Sequence, residues 1–177
     1  MTPRFALKEA TADVHGRLDT LLSQLDLGRE GDYRQFLLIQ ARIVPALESA
    51  LERAGIGDLV DNWSDHRRAD FLRKDLEELG AAMPQPLAVP LPSGEAEVLG
   101  ASYVLEGSRL GAKMLVRSVA SGMPDSFLNP PTENPWPALV AALDRYLYST
   151  QRLEDAKRAA NACFEAFLAA ARGTGLR

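Results

Sequence analysis

The sequence predicts an all-α fold in a single domain. Apolar residues recur three and four positions apart along most of the 177 residues, which is the spacing of one face of an α-helix. No segment alternates between apolar and polar residues for long enough to predict a β-strand. Glycine- and proline-rich stretches separate the periodic segments, so we expect about six helices joined by short breaks and two longer irregular connections.

The first two helices are predicted within residues 1–53. Thr2 and Pro3 form a typical helix start, because proline at the first helical position lacks only an N–H that would have no partner there. We expect "LGREGD" to end this helix after Leu25. The next helix is predicted from Tyr33 to Arg53, with a kink at Pro45, which removes one backbone donor.

The remaining helices follow two proline-rich connections. The charged segment "DHRRADFLRKDLEELG" predicts a helix that ends at Gly80. Four prolines in the twelve residues "MPQPLAVPLPSG" then predict an extended linker. A long helix is predicted over 95–121, and one or two helices over 138–171, after the irregular stretch "MPDSFLNPPTENPWP".

Composition indicates a soluble protein of a reducing compartment. The net charge of −4 argues against a general nucleic-acid binder. The single cysteine, Cys163, has no partner within the chain for a disulfide, and the N-terminal residues lack the pattern of a secretion signal. No apolar run approaches the ~18 residues of a membrane span. We therefore expect a cytoplasmic protein.

The segment "LKEATADVHGRLD", residues 7–19, carries one of the two histidines on the edge of an apolar helical face. His15 is either a core histidine with a hydrogen bond or a metal ligand. Asp19, one turn later, could accept the Nδ1–H of the imidazole directly or through water, which would leave Nε2 free for a metal. Lys8 lies two turns before His15, ~10.5 Å away along the helix. Lys8 and Asp19 could equally be ordinary surface charges.

The segment "YVLEGSRLGAKML", residues 103–115, places two glycines inside a predicted helix. Each costs roughly 1 kcal/mol relative to alanine in a helix interior. Gly107 and Gly111 lie one turn apart, as do Ser108 and Ala112, and Gly100 lies one heptad earlier. This strip of small residues predicts a close approach, either by another helix or by a flat ligand.

Together these two segments resemble the haem oxygenase family. The "LKxxTxxxH" run is similar to the family's proximal-helix signature, in which the histidine is the axial iron ligand, and "YVLEGSRLGAKML" is similar to its glycine-rich distal helix. The order of the helices, Trp136 near the start of the C-terminal part and "ACFEAFL" near its end extend the resemblance over most of the chain.

The resemblance implies that haem lies between the first helix and the helix that contains Gly107. His15 would then be the axial ligand of the iron, with Asp19 beside it. Lys8 and Arg145 would contact the propionates, and Tyr103 would lie near the haem edge. The expected cofactor-binding residues are Lys8, Thr11, His15, Asp19, Tyr103, Gly107, Ser108, Gly111, Ala112, Arg145 and Phe164, and the expected catalytic residues are Gly107, Ser108 and Gly111.

The reaction implied is the cleavage of haem to biliverdin, carbon monoxide and ferrous iron, with O2 and external electrons consumed. The short chain and the segment "YVLEGSRLG" are most similar to bacterial members of the family, including those that supply biliverdin to bacterial phytochromes. Two alternatives stay open: a haem-binding sensor or carrier with little turnover, and a helical interaction protein that binds no haem.

The electron donor would be a ferredoxin or a flavoprotein. Arg109, Lys113 and Arg117 follow one another at helical spacing and predict a basic docking stripe, although they could also form an ordinary solvated face. His66, Arg67 and Arg68 lie among other charges, and we expect them to be exposed.

Two positions depart from the family pattern. Ser108 stands where many members have an aspartate that organises the distal waters, and a hydroxyl can join such a network without supplying a charge. Ala112 replaces the second glycine of a pair, which narrows the approach to the helix by one methyl group.

Overall fold

Helices account for all the regular structure of the chain, which the computed structural model describes from residue 1 to residue 177. The α-helices are α1 (Pro3–Leu22), α2 (Glu30–Ala41), α3 (Val44–Arg53), α4 (Trp63–His66), α5 (Ala69–Glu78), α6 (Glu95–Leu115), α7 (Trp136–Tyr146) and α8 (Thr150–Arg172). Short 3-10 helices span Ile56–Asp58 and Val116–Ser118. The predicted all-α class is confirmed, with more and shorter helices than expected.

The helix predicted over 33–53 is two helices rather than one kinked helix. Helix α2 ends at Ala41, residues 42–43 form a turn, and α3 begins at Val44 with Pro45 in its first turn. A proline in the first turn needs no N–H partner, whereas inside a continuous helix it would remove a bond and clash with the preceding turn. Ending one helix and starting another therefore costs less than a kink.

The charged segment 65–80 is also divided, because Arg67 adopts an extended conformation between α4 and α5. Gly80 ends the helical part as expected. Its φ of +68° lies in the left-handed region that favours glycine. The N–H of Gly80 donates to the carbonyl of Glu77 at 3.0 Å, and the N–H of Ala81 donates to that of Leu76 at 2.8 Å. These two bonds satisfy carbonyls at the end of α5.

Helix α8 holds the bundle together, because α1 and α6 both pack along it. Forty buried residues form one continuous core. The α8 side of this core includes Ala156 and Ala160, whose small side chains let a neighbouring helix come close. Helix α6 comes close to α8 at Gly100, where an added Cβ would lie 2.1 Å from the carbonyl oxygen of Ala156.

The irregular segment 123–135 is fixed to the bundle by buried polar contacts. The Asp75 carboxylate is fully buried and accepts the N–H groups of Ser126 at 3.1 Å and Phe127 at 2.7 Å. Burial raises the pKa of Asp75, and these hydrogen bonds oppose that rise. The Tyr33 hydroxyl donates to the carbonyl of Pro124 at 2.8 Å. Phe127 and Leu128 are therefore held in the core rather than in a loose loop.

The connection over 83–94 has no regular structure until the start of α6, as the four prolines predicted. The N–H of Leu87 donates to the carbonyl of Arg42 at 2.9 Å, which ties this stretch to the α2–α3 junction. None of the helices is both long enough and apolar enough to cross a membrane.

Gly100→Ala is expected to lower the free energy of unfolding by about 1–3 kcal/mol, because the new methyl group forces α6 away from α8. Gly107→Ala is the matched control on the same helix, since a Cβ there would meet no atom within 4 Å. It should raise stability by up to about 1 kcal/mol through helix propensity. Urea denaturation of both variants measures the difference; changes of the same sign would contradict the packing at Gly100.

Candidate functional site

A cavity of about 360 Å³ opens between α1 and α6, with α8 behind it. Its volume lies within the range of small-molecule and cofactor sites. Twelve of its twenty-one lining residues are hydrophobic. The lining residues are Lys8, Thr11, His15, Leu18, Asp19, Leu22, Phe36, Gln40, Arg68, Tyr103, Val104, Gly107, Ser108, Leu110, Gly111, Ala112, Phe127, Leu128, Trp136, Phe164 and Phe167.

Helix α1 forms one wall of the cavity through residues three or four positions apart. Lys8, Thr11, His15 and Asp19 all line it, while Leu7 beside them is fully buried. The Thr11 hydroxyl donates to the carbonyl of Leu7 at 2.8 Å, which leaves the methyl group of Thr11 for packing. The helical spacing thus carries one apolar face into the core and turns an adjacent, more polar face towards the cavity.

The His15 imidazole is about half exposed, with 55% of its side-chain surface accessible. The ring of Phe164 lies against it, with 5.2 Å between the ring centroids. A direct contact between Nδ1 of His15 and Asp19 is not present: Nε2 is the nitrogen near Asp19, at 3.5 Å from Oδ2, which is too long for a good hydrogen bond. The protein therefore makes no hydrogen bond that fixes the orientation of the imidazole.

Helix α6 forms the opposite wall through Gly107, Ser108, Gly111 and Ala112. An added Cβ at Gly107 or at Gly111 would meet no atom within 4 Å. The strip of small residues therefore behaves differently along its length, and only its Gly100 end is in contact with another helix. Gly100 lets α8 pack closely, whereas Gly107 and Gly111 leave the helix backbone open to the cavity.

Several aromatic side chains that were not predicted as site residues also line the cavity. Trp136 lines it beside Tyr103, with 6.0 Å between the ring centroids. Phe36, Phe127 and Phe167 also line it, as do Gln40 and Arg68. These residues come from distant parts of the chain, so only their positions in the fold assign them to the cavity.

The structure does not bring Arg145 to the cavity, which corrects the expectation that it binds there. Arg145 is exposed in the last turn of α7, and its guanidinium carbon lies 5.2 Å from the ring centroid of Tyr146. Leu139 and Leu143 form the buried face of this helix. Two residues after Leu143 correspond to a rotation of about 200°, which turns position 145 towards solvent.

Arg68 and His66 are buried, not exposed as expected, with only 1% and 3% of their surface accessible. The Arg68 backbone N–H donates to the Glu48 carboxylate at 2.6 Å. Its guanidinium Nη2 donates to the carbonyl of Leu105 at 3.0 Å and to the Ser108 hydroxyl at 2.7 Å. Burial lowers the pKa of Arg68 to about 10, so the group stays charged at neutral pH.

Arg109 is also buried, which corrects the predicted basic stripe. Its guanidinium donates to the Thr132 hydroxyl at 2.9 Å and to the carbonyls of Asp65 at 2.9 Å and His66 at 3.0 Å. Its Nε lies 3.4 Å from the buried Glu106 carboxylate. Arg109 therefore fastens α6 to the end of α4, and only Lys113 and Arg117 of the stripe are exposed.

Comparison with known proteins identifies relatives of one kind. No family model matches the chain. A protein named heme oxygenase from Xanthomonas campestris pv. campestris (strain 8004) is 32% identical over 143 residues, which cover 76% of this chain and 86% of that protein. Heme oxygenase PigA from Pseudomonas aeruginosa is 28% identical over 122 residues, covering 63% of this chain and 58% of that protein.

The fold is similar to that of a solved structure. The NO- and CO-bound heme oxygenase from Neisseria meningitidis matches with a TM-score of 0.83, over 100% of this chain and 94% of that one, at 24% sequence identity. At this identity the match supports the fold only. The 32% identity with the Xanthomonas protein, over most of both chains, establishes the relationship, and the chain therefore belongs to the haem oxygenase family.

Proposed function

We propose that this chain binds haem in the cavity between α1 and α6 and cleaves it to biliverdin, carbon monoxide and ferrous iron. One observation carries the proposal: a half-exposed histidine on α1 and two open glycines on α6 line the same apolar cavity. The alternatives of a haem sensor or carrier, and of a helical protein without haem, have no observation that favours them. We also infer that the 177 residues form one domain, since the core is continuous.

The residues that line the cavity suit haem in shape and in chemistry. The open backbone at Gly107 and Gly111 leaves room for a flat molecule, and the aromatic rings of Phe164 and Trp136 offer apolar surface for a macrocycle. His15 provides a nitrogen ligand of the kind that haem iron commonly binds. A planar apolar group with a metal at its centre and acidic groups at one edge fits this lining.

On the α1 side, His15 would bind the iron through Nε2. Binding through Nε2 requires the ring to turn so that Nδ1 faces Asp19, which would then orient the imidazole. Lys8 is exposed two turns earlier, ~10.5 Å along the helix, where its ammonium group would attract a propionate at the cavity mouth. Thr11 and Tyr103 line the cavity near Lys8 and would contact the haem edge.

On the α6 side, Gly107 and Gly111 would let the helix backbone lie over the haem face, where any larger side chain would intrude. Ala112 is buried and adds a single methyl group to this surface. Ser108 places a hydroxyl on the same side. Haem, when bound, supplies the iron at which O2 is reduced and the macrocycle that is opened, while the protein orients it and limits the access of water.

We propose that the external electrons come from an acidic ferredoxin or flavoprotein that docks on the exposed end of α6. Lys113 and Arg117 are exposed there, and Leu110, Met114 and Leu115 add exposed apolar surface beside them. Cations around an apolar patch suit a transient, charge-steered partner. Biliverdin released from the cavity would be available to a bacterial phytochrome as its chromophore.

Hemin titration is the first test of the proposed function. We expect a 1:1 complex with a sharp Soret band, which decays under air with ascorbate or a ferredoxin and reductase pair to a broad red-absorbing biliverdin band. His15→Ala should remove the low-spin, six-coordinate ferric spectrum at neutral to alkaline pH and abolish normal turnover. A Soret band that persists in the wild type would instead indicate a sensor or carrier, and no complex would contradict haem binding.

Gly111→Leu should weaken haem binding roughly tenfold, because its side chain would fill the space over the helix backbone; overpacking of this kind costs about 1–3 kcal/mol. Gly31→Leu, at an equally open glycine near the start of α2, is the matched control and should bind haem as the wild type does. Titration of both variants with hemin measures the effect. Wild-type affinity in Gly111→Leu would contradict the close approach of haem to α6.

The double variant Lys113→Glu with Arg117→Glu should slow ferredoxin-driven turnover roughly tenfold at low salt, because it reverses the charge that steers an acidic partner. Turnover driven by ascorbate should not change. Arg73→Glu with Lys74→Glu, on the exposed face of α5, is the control with the same change in net charge. Equal slowing in both double variants would place the docking site elsewhere.

A further inference from the structure

The Ser108 hydroxyl oxygen accepts a hydrogen bond from the buried guanidinium of Arg68. Nη2 of Arg68 lies 2.7 Å from the Ser108 hydroxyl oxygen, and Arg68 is only 1% exposed although it lines the cavity. Arg68 comes from the junction of α4 and α5, forty residues before Ser108 in the chain. The position that lacks the aspartate of many relatives is therefore in contact with a full positive charge.

The Arg68 guanidinium is fixed by the protein itself. Its Nη2 also donates to the carbonyl of Leu105, and its planar group lies 4.6 Å from the ring centroid of Phe127. Its backbone is held by the Glu48 carboxylate, which also accepts the N–H of Ala69 at 3.2 Å. Because the backbone and the guanidinium of Arg68 are held by three separate parts of the chain, the guanidinium has little freedom to move away from Ser108.

This contact decides which way the Ser108 hydroxyl can point its proton. A guanidinium has only donors, so the Ser108 oxygen must accept from Arg68 and its own proton must point away from that group. No side-chain or backbone acceptor within the protein receives a hydrogen bond from Ser108. The remaining direction open to this half-buried hydroxyl is the cavity that it lines.

We propose that Arg68 is a positioning residue that makes Ser108 a hydrogen-bond donor towards small anionic or strongly polar ligands on the distal side of the haem. This inference rests on the proposed function, since it needs haem in the cavity with its iron held from the α1 side. A carboxylate at this position could only accept hydrogen bonds when ionised. The Arg68–Ser108 pair instead offers a donor with positive charge behind it, so it favours anions.

Fluoride binding to the ferric haem complex is the measurement that tests the pair, since fluoride is a small anion that accepts hydrogen bonds. At neutral pH, we expect Ser108→Ala to weaken fluoride binding roughly tenfold, as for the loss of a charge-assisted hydrogen bond. Arg68→Met should weaken it to a similar extent. The double variant should be little weaker than either single variant, because both changes remove one coupled unit.

Three further variants separate positioning from a merely structural role. Ser108→Thr and Arg68→Lys keep the hydroxyl and the charge, and each should retain most of the fluoride affinity. Arg67→Met removes the adjacent arginine, which is about half exposed and pairs with Glu52, and should match the wild type. Affinity for imidazole, a neutral ligand of ferric haem, should stay near the wild-type value throughout. If Arg68→Met does not fold, the fluoride affinities of Ser108→Ala, Ser108→Thr and Arg68→Lys still test the proposal.

Each outcome bears on the proposal. Fluoride affinity that is unchanged in Ser108→Ala, or single effects that simply add in the double variant, would overturn it while leaving haem binding through His15 intact. Equal losses of fluoride and imidazole affinity would indicate a general disturbance of the cavity and would also overturn it. Absence of a wild-type haem complex would overturn this inference together with the proposed function.

Discussion

The close packing of α6 on α8 at Gly100 is the constraint on which the cavity depends. A single Cβ there would overlap the backbone of Ala156, so the two helices are in contact at the level of the main chain. Helix α1 packs along the same α8. The distance between the two cavity walls is thus set by a third helix behind them. Two turns beyond Gly100, the same small-residue strip has no helix against it, and Gly107 faces open space.

The two sides of the cavity differ in how they are held. The α1 side rests on apolar packing, with Leu7 fully buried beside the half-exposed His15. The α6 side is fastened by buried charges: Arg109 bonds to the end of α4, and Arg68 bonds to the carbonyl of Leu105. Burying such charges adds little net stability compared with an apolar core. What they provide is a fixed polar group behind Ser108, on the side opposite the proposed iron ligand.

Much of the fold followed from local sequence. Pro3 at a helix start and Gly80 at a helix end act through the backbone of their own turn, so their effects were predictable without tertiary contacts. Pro45 was assigned correctly as a disruption but not as a full break, because a kink and a break satisfy the same local rule. In the structure the full break places Val44 and Leu47, on the new helix, in fully buried positions.

The sequence by itself determined the class of fold, the α1 face that carries His15, and the one-turn spacing of Gly107 and Gly111, because helical periodicity and the absence of a Cβ are properties of neighbouring residues. Only the tertiary structure decided that Arg68 stands behind Ser108, that Arg109 is buried, that Trp136 lines the cavity and that Arg145 does not. Whether a charged or aromatic side chain is exposed depends on which distant segments of the chain pack against it. A local sequence pattern does not identify those segments.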